Sequence, residues 1–160
     1  MQNSIYLSLG SNLGNREERL HQAISKLATL GDVTRVSSFY ETEPVEKTDQ
    51  PWFINCVVEL KTEHETKRLM DEILEIEKTM GRTRSHDKGP RNIDIDILLA
   101  GDAVITKPGL VIPHPAMQKR RFILEPLFEI APELYHPVLK RTIRELRDAL
   151  PAGQAVRKVQ

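Results

Sequence analysis

The chain has 160 residues, of which 39% are hydrophobic and 29% charged, values typical of one ordinary globular domain. Lysine plus arginine equals aspartate plus glutamate, at 23 each, which argues against non-specific binding to nucleic acid or membrane. No apolar stretch approaches the roughly 20 residues of a membrane-spanning helix, and the single cysteine, Cys56, excludes an internal disulfide. We expect a cytoplasmic, single-domain protein over residues 1–160 without an obligate protein partner.

The first predicted elements are a strand and a helix. Alternate residues are apolar over 4–9, which indicates a strand, and the glycine-containing segment 10–14 ends it as a turn. Asn15 and Glu18 have the spacing of a helix N-terminal capping pair, and Gly31 predicts the end of the helix. We therefore predict a strand followed by an amphipathic helix.

Two further strands and a second helix follow. The segments 33–41 and 53–62 are rich in β-branched and aromatic residues, and a loop over 43–51 with a proline near each end separates them. In the second of these strands, alternation puts the apolar side chains of 54, 56, 58 and 60 on one face. A helix is predicted over 64–80, with a capping box formed by Thr62 and Glu65.

The second half of the chain continues with a charged loop and shorter elements. The loop spans 82–91 and contains four basic residues. The elements predicted after it are a strand over 93–100, a hairpin at 101–102 into a short strand near Val104, helices over about 117–130 and 142–149, and a loose tail after Pro151. The order of strands and helices predicts an α+β, ferredoxin-like fold: a mainly antiparallel sheet with helices packed on one face of it.

Two aspartates carry the most informative chemistry. Ile93, Ile95 and Ile97 alternate with Asp94 and Asp96, so both carboxylates should project from one face of a strand, with Cα atoms about 6.6 Å apart. Two neighbouring carboxylates repel each other unless a cation lies between them. Carboxylate oxygens suit Mg²⁺, which also binds phosphate oxygens and water. The alternative is an ordinary solvated strand face.

Basic residues surround the aspartates in the sequence. Arg82, Arg84, Lys88 and Arg91 precede them, and Lys119, Arg120 and Arg121 form a second cluster beyond His114. Carboxylate-bound metal among guanidinium groups is typical of phosphoryl transfer. The basic clusters could equally be solvated faces, and Arg91 could pair with Asp94 as a structural ion pair. No P-loop or kinase glycine loop is present in the sequence, so a nucleotide site here must be of another type.

A flat heteroaromatic ring could bind beside the third strand. Phe53 and Asn55 lie on the strand face opposite the apolar stripe, and together they offer a stacking surface with a donor and an acceptor. Phe122 could stack on the other side of the ring. Both aromatic residues could instead belong to cores, Phe53 to a minor core on the second sheet face and Phe122 to the apolar stripe of its helix.

These motifs together resemble a known family, the single-domain bacterial 6-hydroxymethyl-7,8-dihydropterin pyrophosphokinases. The resemblance runs nearly end to end and is carried most specifically by Gly89-Pro-Arg-Asn-Ile-Asp-Ile-Asp96. The other matching segments are Leu9-Gly-Ser-Asn-Leu-Gly14, Ser37-Ser-Phe-Tyr-Glu-Thr42, Gln50-Pro51, Phe53-Ile-Asn55, Gly81-Arg82 with Arg84, Pro113-His-Pro115, Arg120 with Phe122, and Pro126-Leu-Phe-Glu-Ile-Ala-Pro132.

The resemblance implies a six-stranded sheet and transfer of pyrophosphate from ATP to the pterin, a step of folate biosynthesis that releases AMP. It implies two Mg²⁺ ions held by Asp94 and Asp96 and by ATP oxygens, with Arg82 and Arg91 also acting in catalysis. The residues implied for the pterin are Thr42, Val45, Phe53, Asn55 and Phe122. Those implied for ATP are Glu77, Arg82, Arg84, Lys88, Arg91, His114 and Arg120. The loops 43–51 and 82–91 would close over the substrates.

The chain departs from the family at one position in particular. Lys88 stands where members often have an aromatic residue before Gly-Pro-Arg, so charge would replace a stacking contact there. Two other functions stay open on the residues alone: a nucleotidyl transferase that uses the aspartate pair, and an RNA-binding module on the same fold. The small aromatic content, 5%, argues against the RNA-binding module.

Overall fold

The structure is a computed structural model of the chain. It describes residues 3–43, 51–81, 93–153 and 155–159. Within these residues, the helices are too short or too polar to cross a bilayer.

Over the residues that the structure describes, a six-stranded antiparallel sheet forms the centre of the fold. Its strands are β1 (Asn3–Ser11), β2 (Asp32–Val36), β3 (Tyr40–Thr42), β4 (Phe53–Thr62), β5 (Asp94–Ala100) and β10 (Val156–Lys158). The strand order is β10-β3-β4-β1-β5, and β2 pairs with the second half of β4 beside β3.

In the described part of the chain, four α-helices accompany the sheet, and the smaller strands form two hairpins. The helices are α1 (Arg16–Leu27), α2 (Thr66–Thr79), α3 (Arg121–Ile130) and α4 (Ile143–Asp148), with a 3₁₀ turn at Met117–Lys119 before α3. The hairpins are β6 (Ile105–Lys107) with β7 (Leu110–Ile112), and β8 (Tyr135–His136) with β9 (Arg141–Thr142). Because α1 follows β1 and α2 connects β4 to β5, the predicted α+β, ferredoxin-like fold is confirmed.

Helices cover both faces of the sheet, so the prediction that they lie on one face is wrong. On the first face, α1 and α2 pack against the apolar stripe of β4 and the buried residues of β1 and β5. On the second face, α3 and α4 pack against Val57, Leu98 and Leu99. The second core forms because Val57 of β4 and Leu98 and Leu99 of β5 supply apolar side chains beyond Asn55 and Asp96. The helices of the second face therefore leave one end of that face to polar side chains.

Two predicted element boundaries are wrong for identifiable reasons. The strand predicted over 33–41 is divided into β2 and β3, because the Ser37 hydroxyl, rather than a backbone carbonyl, accepts the N–H of Val57, at 2.9 Å. The Thr62–Glu65 capping box does not form: Glu65 precedes α2 without a side-chain cap. The Thr62 hydroxyl instead accepts the N–H of His64 at 3.1 Å and donates to the carbonyl of Leu30 at 2.7 Å.

Residues 156–159 are bonded to the sheet, in contrast to the predicted loose tail. Residues 156–158 form β10 and extend the sheet beyond β3, with Val156 paired to Thr42 and Lys158 paired to Tyr40. The N–H of Val159 also donates to the carbonyl of Phe39, at 2.8 Å. The strand predicted near Val104 begins one residue later and pairs with β7, a strand that the sequence patterns did not indicate.

Candidate functional site

Asp94 and Asp96 lie side by side on the second face of the sheet. Both are partly exposed, whereas Ile95 and Ile97 between and beyond them are buried against the first core. The prediction that the two carboxylates share a strand face is therefore confirmed. Their partners on β1 are two small residues, Gly10 for Asp94 and Ser8 for Asp96.

Strand register brings the predicted ring-binding residues to the same face. Gly10 of β1 pairs with Asp94 on one side and with Asn55 of β4 on the other, and Asn55 in turn pairs with Tyr40. Directly paired residues point to the same side of a sheet, and Phe53 is two residues from Asn55 on β4. The aspartate pair, Asn55 and Phe53 therefore lie on one continuous surface at the end of the sheet that α3 and α4 leave open.

Asn55 is held in a fixed orientation by its neighbours. Its side chain is buried, and its Oδ1 accepts a hydrogen bond of 2.7 Å from the Thr42 hydroxyl. Its amide nitrogen lies above Gly10, where a Cβ would stand 2.5 Å from Nδ2. Gly10 is therefore a strand residue that makes room for the Asn55 amide, and the prediction that it ends the strand as a turn is wrong. A glycine inside a strand pattern is itself a signal of close approach by another group.

Glu77 holds the strand that carries the aspartates. It is 2% exposed on α2, and its Oε2 accepts the N–H of Ile95 at 2.8 Å. Among the described residues β5 is the last strand of the sheet, so this outward-facing N–H has no strand partner there, and the Glu77 carboxylate accepts it instead. Glu77 thus fixes the backbone between Asp94 and Asp96, and its direct contact with ATP stays a prediction.

His114 lies next to β5 as a neutral imidazole. Its backbone N–H donates to the carbonyl of Leu98 at 2.9 Å, and its Nδ1 accepts the N–H of Ala116 at 3.1 Å. Burial, and then the charge of Arg120, lower the pKa of His114 to about 4, against the opposing effect of Asp94. Since Nδ1 is an acceptor, Nε2 carries the proton. His114 therefore offers an uncharged hydrogen-bond donor that feels the charges of both Arg120 and Asp94.

Arg120 and Phe122 lie at the start of α3. The Arg120 Cζ is 5.6 Å from the centroid of the Phe122 ring. Ile123 and Leu124 are fully buried in the second core, whereas Phe122 is half-buried at the edge of that core. Phe122 is therefore placed beside the apolar stripe of its helix, with part of its surface accessible. Its stacking on a bound ring stays a prediction.

Several predicted site residues lie outside the described residues. These are Val45 for the ring and Arg82, Arg84, Lys88 and Arg91 for the phosphates, together with the predicted closure of loops 43–51 and 82–91. Their roles stay predictions.

The donor set fits Mg²⁺ better than a transition metal. Among the described residues, no group of three or more histidine, cysteine or carboxylate side chains could hold a metal by itself. Asp94 and Asp96 supply two hard oxygen donors on an accessible face. Mg²⁺ commonly takes one or two carboxylates and completes its coordination with substrate phosphates and water.

Taken together, the fold and the site define a ferredoxin-like α+β protein with a candidate ligand site at the end of its sheet that α3 and α4 do not cover. The family model described as 7,8-dihydro-6-hydroxymethylpterin-pyrophosphokinase, HPPK, matches residues 6–132. The chain belongs to this family.

Relatives include proteins of similar length and much longer ones. The chain is 38% identical over 148 residues to the 2-amino-4-hydroxy-6-hydroxymethyldihydropteridine pyrophosphokinase of Haemophilus influenzae, covering 89% of this chain and 92% of that protein. It is 44% identical over 136 residues to the protein of the same name from Bacillus subtilis, covering 84% and 81%. The folic acid synthesis protein fol1 of Pneumocystis carinii is 43% identical, and there the match spans 84% of this chain but only 18% of the relative.

Solved structures share the fold. The chain superposes on HPPK-DHPS of Plasmodium falciparum with a TM-score of 0.73 and 20% sequence identity, over 92% of this chain and 43% of that one. Another HPPK-DHPS structure, described as a complex with substrates, gives a TM-score of 0.76 at 17% identity and covers 93% of this chain.

Proposed function

We propose that the chain transfers the pyrophosphoryl group of ATP to the hydroxymethyl oxygen of 6-hydroxymethyl-7,8-dihydropterin, forming the pterin diphosphate and AMP in folate biosynthesis. The observation that carries the proposal is the shared sheet face of Asp94, Asp96, Asn55 and Phe53. One end of this face offers carboxylates for metal-bound phosphates, and the other offers an aromatic ring and an oriented amide. Family membership and the names of the relatives support the same reaction.

The proposed reaction is an in-line displacement at the β-phosphorus of ATP. The hydroxymethyl oxygen forms the new bond to this phosphorus and loses its proton. The bond from the β-phosphorus to the α–β bridging oxygen breaks, and AMP leaves with that oxygen. Positioning of the two substrates and neutralisation of charge should provide most of the rate enhancement.

On the pterin side, each residue has a distinct proposed task. Phe53 and Phe122 would stack on the two faces of the ring. Asn55, held by Thr42, would bond the ring edge, because its amide is already oriented before the ligand arrives. Val45 would complete the pocket.

On the ATP side, Asp94 and Asp96 would hold two Mg²⁺ ions. When bound, the ions would neutralise the negative charge of the phosphate oxygens. Glu77 would keep the two carboxylates in place through Ile95. His114 would donate from Nε2 to a phosphate oxygen without adding a positive charge, which distinguishes its task from that of the arginines. The cationic residues proposed for ATP are Arg82, Arg84, Lys88, Arg91 and Arg120.

The nucleotide product provides the direct test of the proposed function. We expect AMP in a one-to-one ratio with pterin diphosphate, without free pyrophosphate, because the β- and γ-phosphates should travel together. Chromatography of one reaction with ATP, Mg²⁺ and the dihydropterin measures all three products. Release of ADP would indicate a simple kinase, and free pyrophosphate would indicate a nucleotidyl transferase; either result would overturn the proposal.

Gly10→Ala should weaken binding of the pterin while the chain still folds. The added Cβ would stand 2.5 Å from Asn55 Nδ2, and the Asn55 amide would have to move away from its bond with Thr42. We expect a loss of about 1–2 kcal/mol in pterin binding, the scale of one hydrogen bond to a buried group. Titration with the pterin measures it, and Gly153→Ala is the control, because a Cβ there meets nothing within 4 Å. Unchanged affinity in Gly10→Ala would show that the Asn55 amide does not bind the ring.

The remaining proposals concern organisation and location. We regard residues 1–160 as a single pyrophosphokinase domain that acts on small molecules, without nucleic acid, membrane or an obligate protein partner. A cytoplasmic location is supported by Cys56, which is a free thiol buried in the first core.

A further inference from the structure

The last strand of the sheet lies outside the segment that matches the family. The family model ends at residue 132, whereas β10 covers 156–158 and pairs along the whole of β3. Next to β10, the Ala155 N–H donates to Glu43 Oε1 at 2.9 Å. The end of the chain is therefore bonded to the strand that supplies Thr42.

A charged network joins β10 to the strands that carry the ring-binding residues. Arg157 of β10 donates to Glu41 Oε1 from Nη2 at 2.7 Å and from Nε at 3.1 Å. Arg16, the first residue of α1, donates to Glu41 Oε2 at 3.1 Å and to the carbonyl of Trp52 at 2.7 Å. The Arg157 Cζ also lies 5.1 Å from the centroid of the Trp52 ring. Two guanidinium groups thus connect β10, β3, α1 and the start of β4.

The charged network lies next to the proposed pterin site. Its residues are chain neighbours of site residues on two paired strands, β3 and β4. Glu41 precedes Thr42, and Trp52 precedes Phe53, which pairs directly with Thr42. The Glu41 side chain is 22% exposed, and its pKa is lowered, first by the hydrogen bond from Arg157 and also by Arg16, although burial acts in the opposite direction. A shift of Glu41 or Trp52 would therefore move the residues that fix Asn55 and carry the stacking ring.

We propose that Arg157 and Glu41 are positioning residues for pterin binding, and that β10 thereby makes the end of the chain part of the pterin site. Neither residue needs to touch the pterin. They act by holding β3 against the start of β4, so that Thr42, Phe53 and Asn55 keep their spacing. The inference rests on the proposed function and assigns a role in substrate binding to a segment that the family model does not cover.

The test compares Arg157→Met with a matched control. Arg144 on α4 has a similar set of contacts, a carboxylate oxygen of Glu133 at 2.7 Å and the Phe128 ring centroid at 5.3 Å, but it lies away from β3. We expect Arg157→Met to raise the KM and Kd for the pterin about fivefold, the equivalent of one net hydrogen bond, with the KM for ATP unchanged. Arg144→Met should change neither constant.

A double variant separates positioning from general destabilisation. If Arg157 acts through Glu41, Glu41→Gln should raise the pterin KM to a similar extent, and Arg157→Met combined with Glu41→Gln should be no worse than either alone. Equal rises in both substrate KM values together with a lower unfolding temperature, or an unchanged pterin KM, would overturn the proposed positioning role. AMP production by the unaltered chain is measured in the same assay, so that failure of the proposed function is recognised separately.

Discussion

Asp94→Asn and Asp96→Asn are each expected to lower kcat at least about 100-fold, the scale of removing a major electrostatic contributor to a transition state. Asparagine nearly keeps the shape of aspartate but removes the charge that would hold Mg²⁺. Both side chains are partly exposed, and the strand backbone between them is held separately by Glu77. The unfolding temperature should therefore change little while turnover falls.

Steady-state assays over a range of Mg²⁺ concentrations measure this effect. The control is Asp102→Asn, which removes a carboxylate from the exposed turn just after the same strand. We expect the control to keep the turnover and the Mg²⁺ dependence of the unaltered chain. Near-normal turnover in both site variants would contradict the assignment of metal binding to these aspartates.

Phe53→Ala and Phe122→Ala are each expected to weaken pterin binding by about 1–3 kcal/mol, the cost of removing an aromatic group from a stacked base. Both rings are half-buried, so each has surface that a flat ligand could cover. ATP binding should change much less, because the proposed phosphate contacts come from other residues. Separate titrations with the pterin and with ATP give the two affinities.

Phe128→Ala is the matched control for this pair. Phe128 is also half-buried on α3, but its ring is covered by Arg144 and Arg147, with the Arg147 Cζ 4.5 Å from the ring centroid. Its loss should reduce stability without a selective loss of pterin affinity. If Phe53→Ala and Phe122→Ala weaken ATP and pterin binding equally, the two rings belong to the hydrophobic core and do not stack on the pterin.

Local patterns predict which residues share a strand face, but they do not predict how strands align. The alternation of Asp94, Ile95 and Asp96 was enough to place both carboxylates together. The row that joins Asn55, Gly10 and Asp94 depends on the register of β1 with two different strands. β1 is separated from both β4 and β5 by many residues in the sequence. The alignment of Asn55, Gly10 and Asp94 therefore cannot be predicted from local patterns and is seen only in the structure.

Two other errors have a similar origin. A core on the second face was predicted only as the alternative place for Phe53, because Val57 lies between Asn55 and Glu59 in the sequence, on a face that looks polar, whereas α3 and α4 bury Val57 completely. The strand β10 has only three residues and no clear alternation, and its conformation depends on pairing with β3. Propensity is too weak to specify such a short strand without its neighbour.

The contacts along β5 also have a consequence for association between molecules. A terminal strand can recruit the backbone of another chain through its unpaired N–H and C=O groups, which is a route to aggregation. On β5, the N–H of Ile95 already donates to the carboxylate of Glu77, and the carbonyl of Leu98 already accepts the N–H of His114. At the other end of the sheet, β10 is short and carries Arg157 and Lys158. The interactions that organise the candidate site therefore also leave fewer backbone groups available for intermolecular strand pairing at the edge where the aspartates lie.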